Sequence, residues 1–333
     1  MSNESSASAW ILVPLIASVG FGFYGYFRRY ARSRQRLIPP HKERVVILGA
    51  SRGIGLSIAH RYVERGARIC IVGRDVVELE TARLECVGLL GEDIGEDWIA
   101  SYVADFTKEK DLVSLRHTIS DRWEGFDTLV VCAGVSATRP LLDIAGTEEA
   151  EGPNFAGVKK VGDIASLAMK VNYLGPLLSA VTMIPFMERT SRSPSILLVS
   201  SLGAAIPAPT RSIYGSTKAA SLALYQALAI EHPKITFTYI LPSTVQGSFR
   251  ASAVDAEPQE MNTAPAEQTA STLRPRSHGL TREAVAKRCV AAIDAHERVV
   301  FYPPFYVYAQ LLYWFWPSFI ERQAAKKYGF TAQ

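Results

Sequence analysis

The sequence predicts an α/β fold of the doubly wound parallel-sheet type, in one large domain with appendages at both ends. Apolar runs of strand length recur at residues 45–48, 68–72, 99–103, 128–131, 196–200, 236–241 and 299–301, and segments of helical spacing separate them. That alternation is the signature of βαβ units, whose parallel strands need a crossover helix. A glycine turn, Gly49, Gly53 and Gly55, follows the first run at once and opens an amphipathic helix. The length, 333 residues of which 48% are hydrophobic, is ample for one such core without a second independent domain.

Residues 1–40 read as a membrane anchor with a basic flank. No charge appears from residue 5 to 27, and residues 10–27 are apolar over about the length that crosses a bilayer. A cleaved signal peptide is the rival reading, but the basic residues follow the apolar run instead of preceding it. Arg28, Arg29, Arg32, Arg34 and Arg36 against Glu4 account for the whole formal net charge of +4. The rest of the chain balances, which points to charge beside a membrane lipid surface and excludes nucleic acid as the partner. The positive-inside bias then places the following domain in the cytosol. Pro39 and Pro40 break any helix before the domain begins at residue 41.

In the first half of the domain the glycines admit backbone to a pyrophosphate, and a helix starting near Ile54 aims free N–H groups and its positive dipole end at the phosphates. The helix at 58–65 ends at Gly66, and the next strand ends at Gly73 and Arg74. No carboxylate stands at Gly73 to accept a ribose diol, while Arg74 and Arg52 offer guanidinium groups for a 2′-phosphate, so the cofactor expected is NADP(H). Helix at 76–92 and strand at 99–103 follow, the strand ending at Asp105, which on its own reads as a helix cap. Residues 141–163, rich in Gly, Pro and charge, read as a surface loop or a frayed helix pair, and a long helix at 164–187 carries Asn172. The four cysteines, Cys70, Cys86, Cys132 and Cys289, have no metal-ligand spacing and read as buried reduced thiols; no metal is expected.

The stretch at 201–218 carries the chemistry. Tyr214 and Lys218, four apart on a helix, share a face, and an ammonium beside a phenol favours the phenolate and lowers its pKa toward working pH. Ser201, at the end of the strand at 196–200, can bond the same substrate oxygen. Strand 236–241 runs into Pro242, Ser243, Thr244, Val245, Gln246 and Gly247.

With these stretches together the sequence resembles the short-chain dehydrogenase/reductase family, over about residues 42–300. The turn Gly49, Ala50, Ser51, Arg52, Gly53, Ile54, Gly55 is similar to its cofactor turn, and Asn172, Ser201, Tyr214 and Lys218 are similar to its catalytic group. The resemblance implies the Rossmann fold and contacts to the nicotinamide cofactor from Asp105 at the adenine, Ala133 and Gly134 at the ribose, and Pro242 and Val245 at the carboxamide. It also selects Ser201 over Ser200, gives Lys218 the ribose hydroxyls, and has Asn172 hold a water that links Lys218 to solvent. Two positions depart from the family. Val131 and Cys132 stand where a pair of asparagines usually braces the turn, implying a softer floor, and Gly247 stands where a Thr usually contacts the pyrophosphate, which Ser248 could replace.

Residues 250–279, polar and proline-bearing, read as a substrate loop, with His278 a solvated member. A helix at 280–295 capped by Thr281 and a last strand at 299–301 close the domain. Residues 301–333 are unusual: aromatics crowd positions 302–319 between prolines, with Arg322, Lys326 and Lys327 after them. Such a tail suits a bilayer interface or packs on protein. The layout is similar to that of the membrane-anchored 11-beta-hydroxysteroid dehydrogenase type, which implies an endoplasmic reticulum location and leaves open a homodimer paired through long helices. The expected activity is interconversion of a ketone and a secondary alcohol on a small hydrophobic substrate, steroid- or lipid-like; a 3-ketosphinganine or fatty-acyl ketoreductase is the alternative, and a catalytically silent nucleotide-binding scaffold the reading from another class.

Overall fold

The computed structural model describes residues 34–90, 95, 98–146, 152–256 and 279–330. The readings of a transmembrane segment at 10–27, and of most of the substrate loop with His278, lie outside them. Seven strands form one sheet in the order β3-β2-β1-β4-β5-β6-β7, all pairs parallel. They are β1 Arg44–Leu48, β2 Arg68–Gly73, β3 Ile99–Val103, β4 Thr128–Val131, β5 Ser195–Val199, β6 Thr236–Pro242 and β7 Val299–Tyr302.

Successive side chains on a strand point to opposite faces, and both faces here are covered. Val45 and Ile47 face one layer, with α1 Gly53–Glu64, α2 Val76–Val87 and, after β6, α8 Arg282–Asp294. Val46 and Leu48 face the other, with α3 Glu109–Trp123, α6 Gly175–Thr190 and α7 Ser212–Glu231. This is why the strands read as unbroken apolar runs. Each fully buried Ile, Leu or Val contributes roughly 1.5–3 kcal/mol.

Some boundaries differ from the sequence reading. Helix α2 stops at Val87 instead of 92, because Gly88 ends it. The segment at 141–163 holds a short helix, α4 Leu141–Ala145, and the start of α5 Phe155–Met169, whose N-cap Asn154 accepts from the Gly157 N–H. The long helix therefore begins well before residue 164. A π-turn at Lys170–Leu174 joins α5 to α6. The run Phe155–Thr190 is long and apolar enough to cross a membrane, but half of its most apolar window is buried in the protein. Thr281 caps α8 as expected, accepting from the Ala284 N–H at 3.2 Å.

Arg34, counted on sequence with the membrane flank, is buried within the domain. Its guanidinium meets Glu43 and donates to the carbonyls of Ser193 and Asp127, both at 2.9 Å. Arg65 donates to the other Glu43 oxygen and to Asp294, and Thr128 Oγ1 donates to Glu43 at 2.6 Å. This network closes the amino ends of the strands.

The chain ends in two helices, α9 Tyr306–Phe315 and α10 Pro317–Tyr328, stopped by Gly329 in the left-handed region. No residue of either is fully buried; Phe315 is 85% and Trp314 76% exposed.

Candidate active site

Strand order reverses between β1 and β4, and a crevice opens there at the carboxyl ends of the strands. The three glycines of the first turn serve different ends. At Gly49, φ is +85° and a Cβ would lie 2.7 Å from the Ala133 backbone; at Gly55 it would lie 2.0 Å from the Gly49 carbonyl oxygen. At Gly53, with φ +65°, a Cβ would meet nothing within 4 Å, so its absence leaves open space at the first residue of α1. This is a cradle that side chains would fill, set against the N–H groups opening a helix, and it fits the diphosphate of a dinucleotide. Leu48, Gly49, Ser51–Ile54, Gly73 and Arg74 line one end of a cleft of about 1030 Å³.

Arg52 and Ser51 do not stand alone there. Glu78, on α2, faces both, 3.5 Å from Arg52 Nη1 and 3.3 Å from Ser51 Oγ. Asp105 turns its carboxylate to the N–H and hydroxyl of Thr107, at 3.0 and 2.8 Å; against burial, which raises its pKa, these hydrogen bonds and the Arg74 and Lys108 cations together hold it low. It does not cap α3, whose N-cap position is Lys108, and the cleft wall at that point is Ala104 and Phe106.

The floor after β4 is braced from elsewhere. Asn172, fully buried in the π-turn, accepts from the Val135 N–H at 2.9 Å and donates to the Val135 carbonyl and to Thr217 Oγ1, both at 3.0 Å. The amide of the turn before α6 thus braces the segment after β4 at Val135, beyond the turn that lacks its own asparagines. A Cβ at Gly134 would sit 3.0 Å from Asn172 Oδ1 and 3.1 Å from Lys218 Nζ, a crowding that both side chains would have to yield to. Of the four cysteines, three are buried, while Cys132 is half-buried on the cleft wall; all are free thiols.

Helix α7 brings Tyr214 and Lys218 to the cleft together. Lys218 is 4% exposed, its Nζ donates to the Val199 carbonyl at 3.1 Å, and burial lowers its pKa to about 8. Burial instead raises Tyr214, while a hydrogen bond with Ser201 and the cations of Arg211 and Arg250 pull the other way. The expected net depression of the phenol is therefore not found: burial outweighs the Ser201 hydrogen bond and the Arg211 and Arg250 cations, and the pKa is raised. Ser201 faces Tyr214 and also accepts from the Gly203 N–H at 3.2 Å. The adjacent Ser200 hydroxyl is buried without a hydrogen-bond partner among the described residues.

Sequence reasoning missed several wall residues. Arg211 lies one helical turn before Tyr214, its guanidinium 5.7 Å from the ring centroid. It is buried and donates to Ser136 Oγ at 2.9 Å and the Ala137 carbonyl at 2.8 Å. Phe249 meets Tyr214 edge-on at 6.0 Å. Tyr306, Lys327 and Tyr328 of the terminal helices line the same cleft. Only the spacing from Arg211 to Tyr214 was visible in the sequence, and nothing there marks the tail as part of the site. Pro242, Val245 and Ser248 also line the cleft, and Gly247, at φ +127°, gives the turn a conformation closed to Thr.

The sequence model of a family described as short chain dehydrogenase matches residues 43–258. Among curated relatives, "11-beta-hydroxysteroid dehydrogenase-like 4A" of Arabidopsis thaliana is 27% identical over 65% of this chain and 65% of its own length, so the chain spans just under two thirds of that relative. "Dehydrogenase/reductase SDR family member 2, mitochondrial" of Homo sapiens is 28% identical over 71% of this chain and 79% of its own. In structure, an alcohol dehydrogenase from the archaeon Thermococcus sibiricus, complexed with 5-hydroxy-NADP, superposes with a TM-score of 0.57 at 22% identity, over 78% of this chain and 94% of its own.

Proposed function

Because the chain belongs to the short chain dehydrogenase family and is an oxidoreductase, we propose that it reduces a ketone on a hydrophobic substrate to a secondary alcohol with NADPH. The observation that carries this reading is the convergence of Ser201, Tyr214 and Lys218 at one end of a cleft whose other end is the glycine cradle. The nicotinamide cofactor supplies a hydride when bound. Gly49, Ser51, Arg52, Gly53, Ile54 and Gly55 would hold its diphosphate, Arg74 its adenosine end, and Ala133, Gly134, Lys218, Pro242 and Val245 the nicotinamide half. Asp105 is kept as a neighbour of the adenine through the backbone it shapes with Thr107.

Tyr214 is suited to give up a proton to the carbonyl oxygen. Burial keeps its hydroxyl protonated throughout the neutral range, and Ser201 can donate to the same oxygen as charge grows on it. Lys218 carries a labile proton near neutrality and sits against Gly134, so it can steady the ribose and restore the proton to Tyr214. Asn172 positions this group by tying Thr217 of α7 to the strand-β4 turn.

With residues from Arg34 onward packed on the domain, the segment before them is read as the membrane anchor, the stretch to residue 300 as the oxidoreductase domain and 301–333 as interface helices, held at the endoplasmic reticulum with the domain in the cytosol. The exposed Trp314, Phe315 and Tyr308, beside Arg322 and Lys326, support contact of α9 and α10 with lipid next to the cleft mouth. NADH is the second reading for the cofactor, and Glu78 favours it, since its carboxylate stands where a ribose diol could donate. Purified full-length protein assayed for NADPH oxidation with a panel of hydrophobic ketones tests the proposal. Turnover confined to small hydrophilic ketones, or equal turnover in Tyr214→Phe, overturns it.

A further inference from the structure

Arg211 is a buried cation placed where the fold gains little from one. It is 7% exposed and holds the N-cap position of α7, at the positive end of that helix's dipole. Its Nη1 donates to Ser136 Oγ and to the Ala137 carbonyl, and among the described residues no carboxylate pairs with it. Arg34, also buried, has Glu43. A buried guanidinium without a counter-charge, set against a helix dipole, costs stability, so packing alone does not account for it.

The partners of Arg211 belong to a bracket around Tyr214. Residues 136–139 follow β4, and Ser136 forms a bridge with Ala253, its carbonyl accepting from the Val254 N–H at 2.9 Å. Asp255, 2% exposed, accepts from the Thr138 and Arg139 N–H groups, both at 2.7 Å. Residues 253–255 continue from the turn Phe249–Ser252, whose Phe249 meets the Tyr214 ring edge-on. Arg211 meets the same ring, its guanidinium 5.7 Å from the centroid. One short segment therefore fixes two contacts of the ring: Arg211 directly, and Phe249 through residues 253–255. A displacement of about 1 Å in a reacting group can cost about 100-fold in rate, which makes such a bracket consequential.

Charge acts alongside position. When Tyr214 gives up its proton, its own oxygen is left negative, and a cation with no carboxylate of its own stabilises that phenolate. Burial raises the phenol, the Ser201 hydrogen bond opposes it, and Arg211 is the leading cation pulling the same way, ahead of Arg250; Tyr328 of α10 acts in the opposite sense. Lys218 lies one turn further along α7.

We propose that Arg211 is a positioning residue of the carbonyl-reducing reaction: pinned to Ser136 and Ala137, it fixes the Tyr214 ring and holds an unmatched positive charge beside the phenolate that proton transfer leaves. This rests on the carbonyl-reducing reading of the cleft and adds a residue to it.

The test separates charge from bulk in the full-length protein. Arg211→Lys keeps the charge and Arg211→Met the length, and each is assayed with NADPH and a reducible hydrophobic ketone beside a thermal melt. In Arg211→Met, kcat should fall about tenfold or more, with KM for NADPH level and a melting temperature no lower than that of Arg211→Lys. Arg211→Lys should keep kcat within a few-fold of wild type. Activity that tracks the melting temperature and not the charge, or kcat in Arg211→Met within about twofold of wild type, overturns the proposal. A second readout needs no turnover. With fluorotyrosine incorporated, whose ring fluorine makes the phenol more acidic and brings its titration into reach, the Tyr214 signal is assigned by its loss in Tyr214→Phe and followed by fluorine NMR. Arg211→Met should move that titration to higher pH and Arg211→Lys leave it near wild type; an unmoved titration in Arg211→Met overturns the proposal. Where wild type reduces no ketone, the carbonyl reading fails, and the titration alone decides whether Arg211 acts on the phenol. Where Arg211→Met does not fold, Ser136→Ala takes its place. It removes one bond of the guanidinium and keeps the charge, so kcat should drop several-fold with the Tyr214 titration in place, and an unchanged kcat overturns the proposal.

Discussion

At the amino ends of the strands Glu43 is fully buried and takes hydrogen bonds from Arg34, Arg65 and Thr128. At the carboxyl ends Lys218 is almost as buried, yet it faces no carboxylate and donates to a single carbonyl among the described residues. The first charge is matched on every side, so its burial is structural: it locks the entering chain to the edges of β1 and β4. The second is left electrostatically incomplete, and burial lowers its pKa to about 8, where a proton moves readily. One sheet thus holds a matched buried charge at one end and, at the other, the unmatched one to which the proposed mechanism gives the proton.

The comparison predicts that substitutions at the two ends break different properties. The largest effect should be Tyr214→Phe. General acid catalysis is worth roughly 10²–10⁴-fold, and turnover should fall to that extent while the melting temperature barely moves, as read by cofactor oxidation beside a thermal melt. Retention of more than a tenth of the activity would remove the phenol from the mechanism. At the opposite end Glu43→Ala should cost roughly 3–5 kcal/mol of stability, because Arg34 is left buried with its carboxylate gone, while Arg65 keeps Asp294. A denaturant midpoint measures it, and kcat of the remaining folded protein should hold. A loss of less than about 1 kcal/mol would place the network among the interchangeable surface pairs.

Lys218→Met sharpens the contrast by reversing the sign. A Lys held at about 8 in the folded protein, against about 10.4 unfolded, binds fewer protons folded than unfolded between those values. Stability therefore rises with pH through the window from about 8 to about 10.4, and at pH 7 the folded state carries the full penalty of the buried ammonium. Removing the amine should raise the melting temperature at pH 7, flatten the rise above pH 8, and abolish turnover. A destabilised Lys218→Met would mean that the amine's bond to Val199 outweighs its burial.

How much of this was legible follows from what each feature depends on. The sheet was readable because every strand is buried on both faces, so the apolar runs at 45–48 or 196–199 had no polar alternation to obscure them. That Tyr214 and Lys218 share a face was readable because one helical turn separates them, whereas Ser201 was chosen over Ser200 by the family resemblance and not by local spacing. Arg34 was misread because its partners, Glu43, Asp127 and Ser193, converge only in the fold, and on the chain it is one more arginine in a basic run. The direction of the Tyr214 shift was missed for a related reason. Sequence spacing gives the neighbouring amine but not the burial, and burial wins. The terminal helices were recognised as aromatic, but their place on the cleft wall depends on a chain reversal after β7 that composition does not encode.

The smallest expected effect concerns the cofactor end, where the sequence showed two arginines and the fold adds an acid. Glu78 holds Ser51 and Arg52 at 3.3 and 3.5 Å, and both charged partners are largely exposed, so the pair itself is weak. Its importance lies in what it competes with. A 2′-phosphate entering beside Arg74 meets the Glu78 carboxylate as a like charge and finds Arg52 already engaged, whereas a ribose diol can donate to that same carboxylate. Glu78→Gln keeps the shape, removes the charge and frees Arg52. If the site is built for NADPH, KM for NADPH should fall a few-fold while KM for NADH stays level. If instead the variant weakens NADH and leaves NADPH unchanged, Glu78 is the ribose acceptor, and the preference read from Arg52 and Arg74 reverses.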